Sequence, residues 1–310
     1  MNIGIIGATG FLGSYLLDYL CRINKYNIHG FSRNPMSLNK KNSNINWIIG
    51  NLSSEYDCKE FIKNVDIIIH LAHTNTPLTS NNDVISDVNL NLIPMVTLLE
   101  TIKKYGKKIH LVYVSSGGAI YGQSADKTPF KEFDLCLPKS SYGIQKLVAE
   151  NYIRLWAEKS LLTSTILRIS NPYGILLPTD RKQGLIGVVL SKLLKNDSQQ
   201  IYGDSNNIRD YIHLEDMSKA FELAIEFQND YEIFNIGSGK GYSVNDIFSL
   251  IEQFTSIEIK KNYIELDNSN KLTDWVVLDT SKAEKILNWT PSISLETGLK
   301  TLCDEVMLKR

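Results

Sequence analysis

Residues 1–16 read MNIGIIGATGFLGSYL, and the first half of this stretch decides the fold. Ile3 to Ile6 form a short apolar run of strand length. It passes directly into Gly7-Ala8-Thr9-Gly10-Phe11-Leu12-Gly13, after which Leu12 to Ile23 alternate with the period of an amphipathic helix. Glycines at this spacing, between a strand and a helix, have three separate uses. Gly7 permits the tight turn, Gly10 lets the backbone approach a pyrophosphate, and Gly13 lets helix and strand pack closely. The helix N-terminus, with Phe11 and Leu12 at its start, then offers N–H groups and a positive dipole end to the anion. Isolated, such a motif also fits a turn without a ligand. At the head of a βαβ unit it predicts a dinucleotide site.

Working outward, strands are expected at Ile28–Ser32, Asn46–Ile49, Asp66–Ala72, Ile109–Ser115 and Ser164–Ile169, with helices at Val88–Lys104 and Tyr142–Lys159. Strand–helix alternation of this kind predicts an α/β chain with a doubly wound parallel sheet. After Ser170 the segments shorten and turns multiply, which predicts a smaller C-terminal α/β lobe. The expected division is 1–170 plus about 209–237 for the dinucleotide domain, and 171–208 with 238–310 for the lobe. Ile233–Ile236 is expected to return to the large sheet, and the polar stretch from Asn34 to Asn44 reads as a loop.

Composition narrows the function. The 310 residues are 43% apolar, enough for a sizeable core, and 33 basic against 34 acidic residues give a net charge of -1. A nucleic-acid surface is not expected from that balance. No apolar run reaches membrane-spanning length, and the N-terminus lacks the basic start of a secretory leader, so a cytoplasmic protein is expected. Cys21, Cys58, Cys136 and Cys303 form no CxxC pair and stand near no histidine cluster, so they read as free thiols, with no metal site.

The end of the second strand reads Gly30-Phe31-Ser32-Arg33. NAD sites of this type place an acid there to hold the adenine ribose hydroxyls. Ser32 removes the repulsion of a 2′-phosphate, and the Arg33 guanidinium is able to pair with it. NADP(H) is therefore favoured, with NAD(H) the alternative if Arg33 is an ordinary surface charge. Asn51 and Leu52 are expected beside the adenine, and Leu71 and Ala72 in the dinucleotide cradle.

Tyr142 and Lys146 form a YxxxK pair whose i, i+4 spacing puts both side chains on one helix face. A neighbouring ammonium favours the phenolate, so such a tyrosine is able to exchange a proton with a sugar hydroxyl while hydride moves. YxxxK is common, and it gains meaning from the preceding strand motif Val114-Ser115-Ser116-Gly117-Gly118-Ala119-Ile120-Tyr121-Gly122.

GATGFLG, HLAH, SSGGAIYG, YGIQK, RISNPYG, IRDYIHLEDM and FNIGSGKGYSV follow in this order along almost the whole chain. Together they resemble the extended short-chain dehydrogenase/reductase family, in particular its UDP-glucose 4-epimerase-like branch. The resemblance implies a Rossmann domain for the dinucleotide, a lobe for a nucleotide-diphosphate sugar, a Ser/Thr-Tyr-Lys triad and a homodimer. Tyr142 and Lys146 match that triad, but the usual hydroxyl position is Gly117. Ser116 is the expected substitute; a water or Tyr121 are alternatives, and Ser115 and Ser116 equally fit a simple strand end. Related 4,6-dehydratases carry Asp-Glu where this chain has Gly118-Ala119, which have no proton to trade, so dehydration is not expected.

The resemblance also implies that Asn171 meets the substrate diphosphate and Pro172 lines the nicotinamide pocket. Gln183 opens a helix that faces phosphate, Tyr202 packs on the base, and Arg209 grips the diphosphate unless it pairs with Asp210 or Glu215. A second arginine of close epimerases has no counterpart in 267–271, where Lys271 is the available cation. Three functions stay open: NADPH-dependent reduction of a 4-keto-6-deoxyhexose nucleotide, 4-epimerisation with tightly held NAD, and non-catalytic dinucleotide binding as a sensor or scaffold.

Overall fold

The computed structural model describes residues 1–34, 45–181, 183–264 and 273–309. The polar stretch 35–44 and the Lys271 position lie outside the described residues. In chain order the elements are β1 (Asn2–Ile6), α1 (Phe11–Ile23), β2 (Asn27–Ser32), β3 (Asn46–Ile49), α2 (Glu55–Lys63), β4 (Ile67–His70) and α3 (Val84–Asp87). A π turn at Val88–Leu92 leads into α4 (Ile93–Tyr105), then β5 (His110–Ser116), α5 (Gly117–Ile120), α6 (Ser141–Glu158) and β6 (Thr163–Ile169). There follow β7 (Asn171–Tyr173), α7 (Leu185–Lys195), β8 (Gln199–Tyr202), β9 (Ile208–His213), α8 (Leu214–Glu226) and β10 (Tyr231–Ile236). The last third adds β11 (Gly241–Ser243), α9 (Val244–Thr255), β12 (Lys261–Ile264), β13 (Trp275–Val276), α10 (Ser281–Leu287) and α11 (Leu295–Lys309).

Short, largely buried segments of four to seven residues, too short for stable helices, form a parallel seven-stranded sheet in the order β10-β6-β5-β4-β1-β2-β3. The order reverses between β1 and β4, where Ile3 pairs with Ile67 and Ile6 with His70. In doubly wound sheets ligands bind at that switch point, beyond the carboxyl ends of the strands. Ile233–Ile236 returns to this sheet, as the sequence predicts.

The chain divides into two compact units. The first comprises Met1–Ser116, Ser140–Arg168 and Ser218–Phe234; the second comprises Gly117–Lys139, Ile169–Met217 and Asn235–Arg310. The first unit's core includes Phe61, Leu98, Ile102, Leu111, Ile153 and Ile166, each fully buried. Each such side chain contributes about 1.5–3 kcal/mol. The second unit has its own core around Leu190, Phe248, Ile251, Leu299 and Leu302. Its helix α9 starts at a capping box, in which the Ser243 hydroxyl accepts from the Asp246 N–H and the Asp246 carboxylate accepts from the Ser243 N–H.

Two expectations are corrected here. Residues 117–139 and 209–217 group with the second unit rather than with the large sheet. Phe130 N–H donates to the Val277 carbonyl, and Asp279 N–H donates back to Phe130. β9 likewise pairs with β11, β13 and β7, not with the large sheet. Hydrogen bonds to partners this far along the chain leave no local pattern to read. The helix expected from Val88 begins earlier, at Val84, because the Asp83 carboxylate caps the Ser86 N–H at 2.9 Å. Among the described residues no helix is long and apolar enough to cross a membrane.

Candidate active site

The turn after β1 is shaped for an anion. Gly7 has φ +85°, a left-handed conformation that favours glycine. A Cβ there would also lie 2.8 Å from the Ala72 nitrogen, at the end of β4. A Cβ on Gly13 would stand 2.0 Å from the Gly7 carbonyl oxygen, so only glycine lets α1 come this close. Gly10 is the N-cap of α1; it offers no side-chain cap, and the first turn holds no acidic residue. An uncapped helix start without nearby carboxylates suits a pyrophosphate, and Phe11 and Leu12 form its first residues. Gly7, Gly10, Gly13, Leu71 and Ala72 thus converge as a cradle that a side chain would fill, and a dinucleotide fits it.

At the end of β2, Ser32 is buried and Arg33 is exposed. The Ser32 hydroxyl donates to the Asn34 carbonyl at 3.2 Å and accepts from the Asn34 N–H at 3.3 Å. Asn51 is exposed and its side chain accepts from Ser53 N–H at 3.1 Å, while Leu52 is buried. The Leu52 carbonyl accepts from the Cys58 thiol at 3.3 Å.

Tyr142 stands in the first turn of α6, and that turn is tied down from outside the helix. Ser141 N–H donates to Asn81 Oδ1 at 2.8 Å, Tyr142 N–H to Ser80 Oγ at 3.0 Å, and Gly143 N–H to Ser140 Oγ at 3.2 Å. Three of the four N–H groups that a helix start leaves open are therefore satisfied by side chains. Burial pushes the pKa of the Tyr142 hydroxyl up to about 12, against a smaller lowering influence of the nearby Ser116 side chain. Lys146 is buried, donates to the Val114 carbonyl at 2.8 Å, and lies 5.7 Å from the centre of the Tyr142 ring. Burial lowers its pKa to about 7 against the opposing pull of Glu150. Glu150 itself forms a buried bidentate pair with Arg168, at 2.6 and 3.1 Å.

The structure thus brings Ser116, Tyr142 and Lys146 together. Gly117 is closed to a hydroxyl, since its Cβ would fall 2.6 Å from a Leu278 methyl. Tyr121, the alternative donor, is committed elsewhere: its hydroxyl donates to Asn235 Oδ1 at 2.6 Å and its ring stacks on Phe130.

In the second unit, Asn171 and Pro172 lie on β7, paired with Tyr211 and Ile212 of β9. Asn171 Nδ2 donates to the Asp210 carbonyl at 2.8 Å. Arg209 forms neither expected ion pair; its guanidinium donates to the Ile208 carbonyl at 2.7 Å and the Thr273 carbonyl at 2.6 Å. Asp210 is taken by Ser238, Gly239 and Leu278 N–H groups instead. Gln183 precedes the left-handed Gly184 that caps α7. Tyr202 sits on β8, in a separate two-stranded sheet with β12, and donates to Gln200 Oε1 at 2.6 Å.

Sequence reasoning passed over His73, Ser80, Asn81 and Asp87, which surround the start of α6. Of these only His73 falls in a motif that was quoted, HLAH; the others occur in a polar stretch with no periodicity.

Comparison with known proteins agrees with this geometry. Residues 3–237 match the model of the NAD dependent epimerase/dehydratase family. The chain is 33% identical over 300 residues to a putative UDP-glucose 4-epimerase of Methanocaldococcus jannaschii, covering 96% of this chain and 95% of that protein. It is 31% identical over 315 residues to a dTDP-4-dehydro-6-deoxyglucose reductase of Escherichia coli, covering 98% and 97%. The crystal structure of a Thermotoga maritima UDP-glucose 4-epimerase with UDP-glucose superposes with a TM-score of 0.89 at 30% identity, over 99% of both chains. A glycine cradle for a dinucleotide and a Ser-Tyr-Lys cluster, on this fold and with these relatives, lead to one conclusion: the chain belongs to the NAD-dependent epimerase/dehydratase family, the extended short-chain dehydrogenases/reductases that act as NAD(P)-dependent nucleotide-sugar epimerases and reductases.

Proposed function

We propose that this chain reduces a 4-keto-6-deoxyhexose carried on a nucleoside diphosphate, with NADPH as reductant. The observation that carries this reading is the end of β2, where a buried neutral Ser32 and an exposed Arg33 stand in place of the acid that selects NAD. Gly7, Gly10, Phe11, Leu12 and Gly13 would hold the pyrophosphate, Asn51 and Leu52 the adenine, and Arg33 the 2′-phosphate. Bound NADPH supplies a hydride to C4. Tyr142, held as a phenol at neutral pH by burial, is the form that gives a proton to the C4 oxygen. Ser116 would orient that phenol, and Lys146, 5.7 Å from the centre of its ring, would stand beside it as a cation when protonated. Asn171, Gln183, Tyr202 and Arg209 are the proposed ligands of the nucleotide diphosphate. The second relative, named for a 4-keto-6-deoxy sugar, supports the substrate class.

A second reading, 4-epimerisation with retained NAD, is favoured by the extent of the match to the T. maritima enzyme. One experiment separates the two. The dinucleotide released from denatured protein is identified by mass spectrometry, and NADPH oxidation is followed with dTDP-4-dehydro-6-deoxyglucose. The reductase reading expects an exchangeable NADP(H) site and turnover. It also expects Arg33→Ala to weaken NADPH binding about tenfold or more while NADH binding changes little. Stoichiometric NAD would replace it with the epimerase, and equal losses for both cofactors would overturn the assignment of Arg33 to a 2′-phosphate.

A further inference from the structure

Asp87 is fully buried, with no exposed surface, at the end of α3. Its Oδ1 accepts from Asn75 Nδ2 at 2.8 Å and from Asn91 Nδ2 at 2.9 Å. Its Oδ2 accepts from Ser141 Oγ at 2.7 Å and from Gln145 Nε2. Four donors on one group require a carboxylate, because an amide would present its own N–H groups to some of them. Ser141 and Gln145 bracket Tyr142 on α6, so this carboxylate helps set the tyrosine's place.

His73 stands between Asp87 and Tyr142. Its side chain is nine-tenths buried; Nε2 lies 3.9 Å from Asp87 Oδ1 and has no hydrogen-bond partner. Its ring meets the Tyr142 ring edge-on, with centroids 4.6 Å apart and planes at 78°. A carboxylate near Nε2 favours the tautomer that carries hydrogen there and leaves the lone pair on Nδ1.

Resting on the reductase reading above, we propose that Asp87 and His73 form a carboxylate–imidazole pair that renews, from solvent, the proton Tyr142 gives to the sugar. A reductase consumes one hydride and one proton per turnover. The hydride forms the new C4–H bond, the C=O π electrons move to oxygen, and that oxygen takes the Tyr142 proton. The tyrosinate must then be reprotonated. A solvent water gives a proton to His73 Nδ1 and its hydroxide leaves to bulk, the Asp87 carboxylate 3.9 Å from Nε2 offsets the imidazolium charge, and the Nδ1–H passes to the tyrosinate. Asp87 ends unchanged. An epimerase needs no such supply, since its second half-reaction returns the proton to the tyrosine.

The surroundings of His73 oppose a lasting charge on it, so any protonation is transient. Burial, Lys146 on α6 and His70 on β4 hold the imidazole down to about 2, so it rests neutral. The Asp87 carboxylate, 3.9 Å from Nε2, and a newly formed tyrosinate are the anions that would offset this cost.

The test is steady-state turnover of dTDP-4-dehydro-6-deoxyglucose with NADPH by the full chain, for wild type, His73→Ala, Asp87→Asn and Tyr142→Phe. His73→Ala is expected to lose about 10²-fold in kcat, with KM within about threefold, and to regain part of it when imidazole is added. Asp87→Asn, a positioning change, is expected to move the pH profile of kcat as well as lower it. If His73→Ala does not fold, His73→Asn carries the same measurement. Wild-type turnover by the His73 variants, or a loss that imidazole leaves untouched, would overturn the pair while Tyr142→Phe still stops the reaction. Turnover by Tyr142→Phe would overturn the reductase mechanism and the pair together.

Discussion

The glycine turn after β1 and the first turn of α6 are both helix starts at the candidate site, yet they are built from opposite materials. The glycine turn is local: Gly7, Gly10 and Gly13 lie within seven residues, and its outside neighbour is the backbone at Ala72. It is left without a side-chain cap, ready for an anion. The start of α6 is capped by Ser80 and Asn81, about sixty residues upstream, braced by Asp87, and faced by Ser116 and His73. The first candidate site is backbone that no side chain obstructs. The second is a cluster of side chains gathered from separate segments, and its helix start is capped by side chains.

That contrast is open to breaking at several points. The largest effect is expected at the gathered site. Tyr142→Phe removes only the proton-carrying oxygen, and kcat should fall by about 10²–10⁴ with NADPH affinity unchanged, as steady-state kinetics and a binding titration will report. Full turnover would show that the cluster is not the acid–base site. The next effect belongs to the local site. Gly13→Ala puts a methyl against the rigid Gly7 carbonyl, which should cost about 1–3 kcal/mol in thermal or denaturant melting and weaken NADPH binding. An unchanged melt would mean that the close approach of α1 is not required.

The smallest effect sharpens the electrostatics of the gathered site. Lys146 is lowered from 10.5 to about 7 in the folded chain. Below about pH 7 it is charged in both folded and unfolded chains, and the cost of burying that charge is complete. Between about pH 7 and 10.5 only the unfolded chain keeps the proton, so the cost shrinks as pH rises. Lys146→Met should therefore raise the Tm by several degrees at about pH 6 and by less at about pH 9. Equal shifts at both values would show that burial of the charge is not what lowers the pKa.

How much of this was legible follows the same division. β1, the glycine turn, β2 with Ser32 and Arg33, and the Tyr142–Lys146 spacing were all readable, because each is a run of neighbours whose periodicity or backbone demand is local. The hydroxyl partner was narrowed only to a few candidates. The choice between Ser116 and Tyr121 depended on where Asn235, Phe130 and Leu278 came to rest. Arg209 was readable as a candidate diphosphate ligand but not as a donor to the Thr273 carbonyl.

By itself, then, the sequence determined the parallel sheet, the dinucleotide turn and the identity of the tyrosine–lysine pair, since strand period, glycine geometry and i, i+4 spacing act over a few residues. Only the tertiary structure decided that residues 117–139 and β9 join the second unit, that Gly117 is closed by Leu278, and that Asp87 and His73 stand beside Tyr142. Those outcomes depend on contacts between segments tens to more than a hundred residues apart, and the energy of such contacts leaves no periodic trace along the chain.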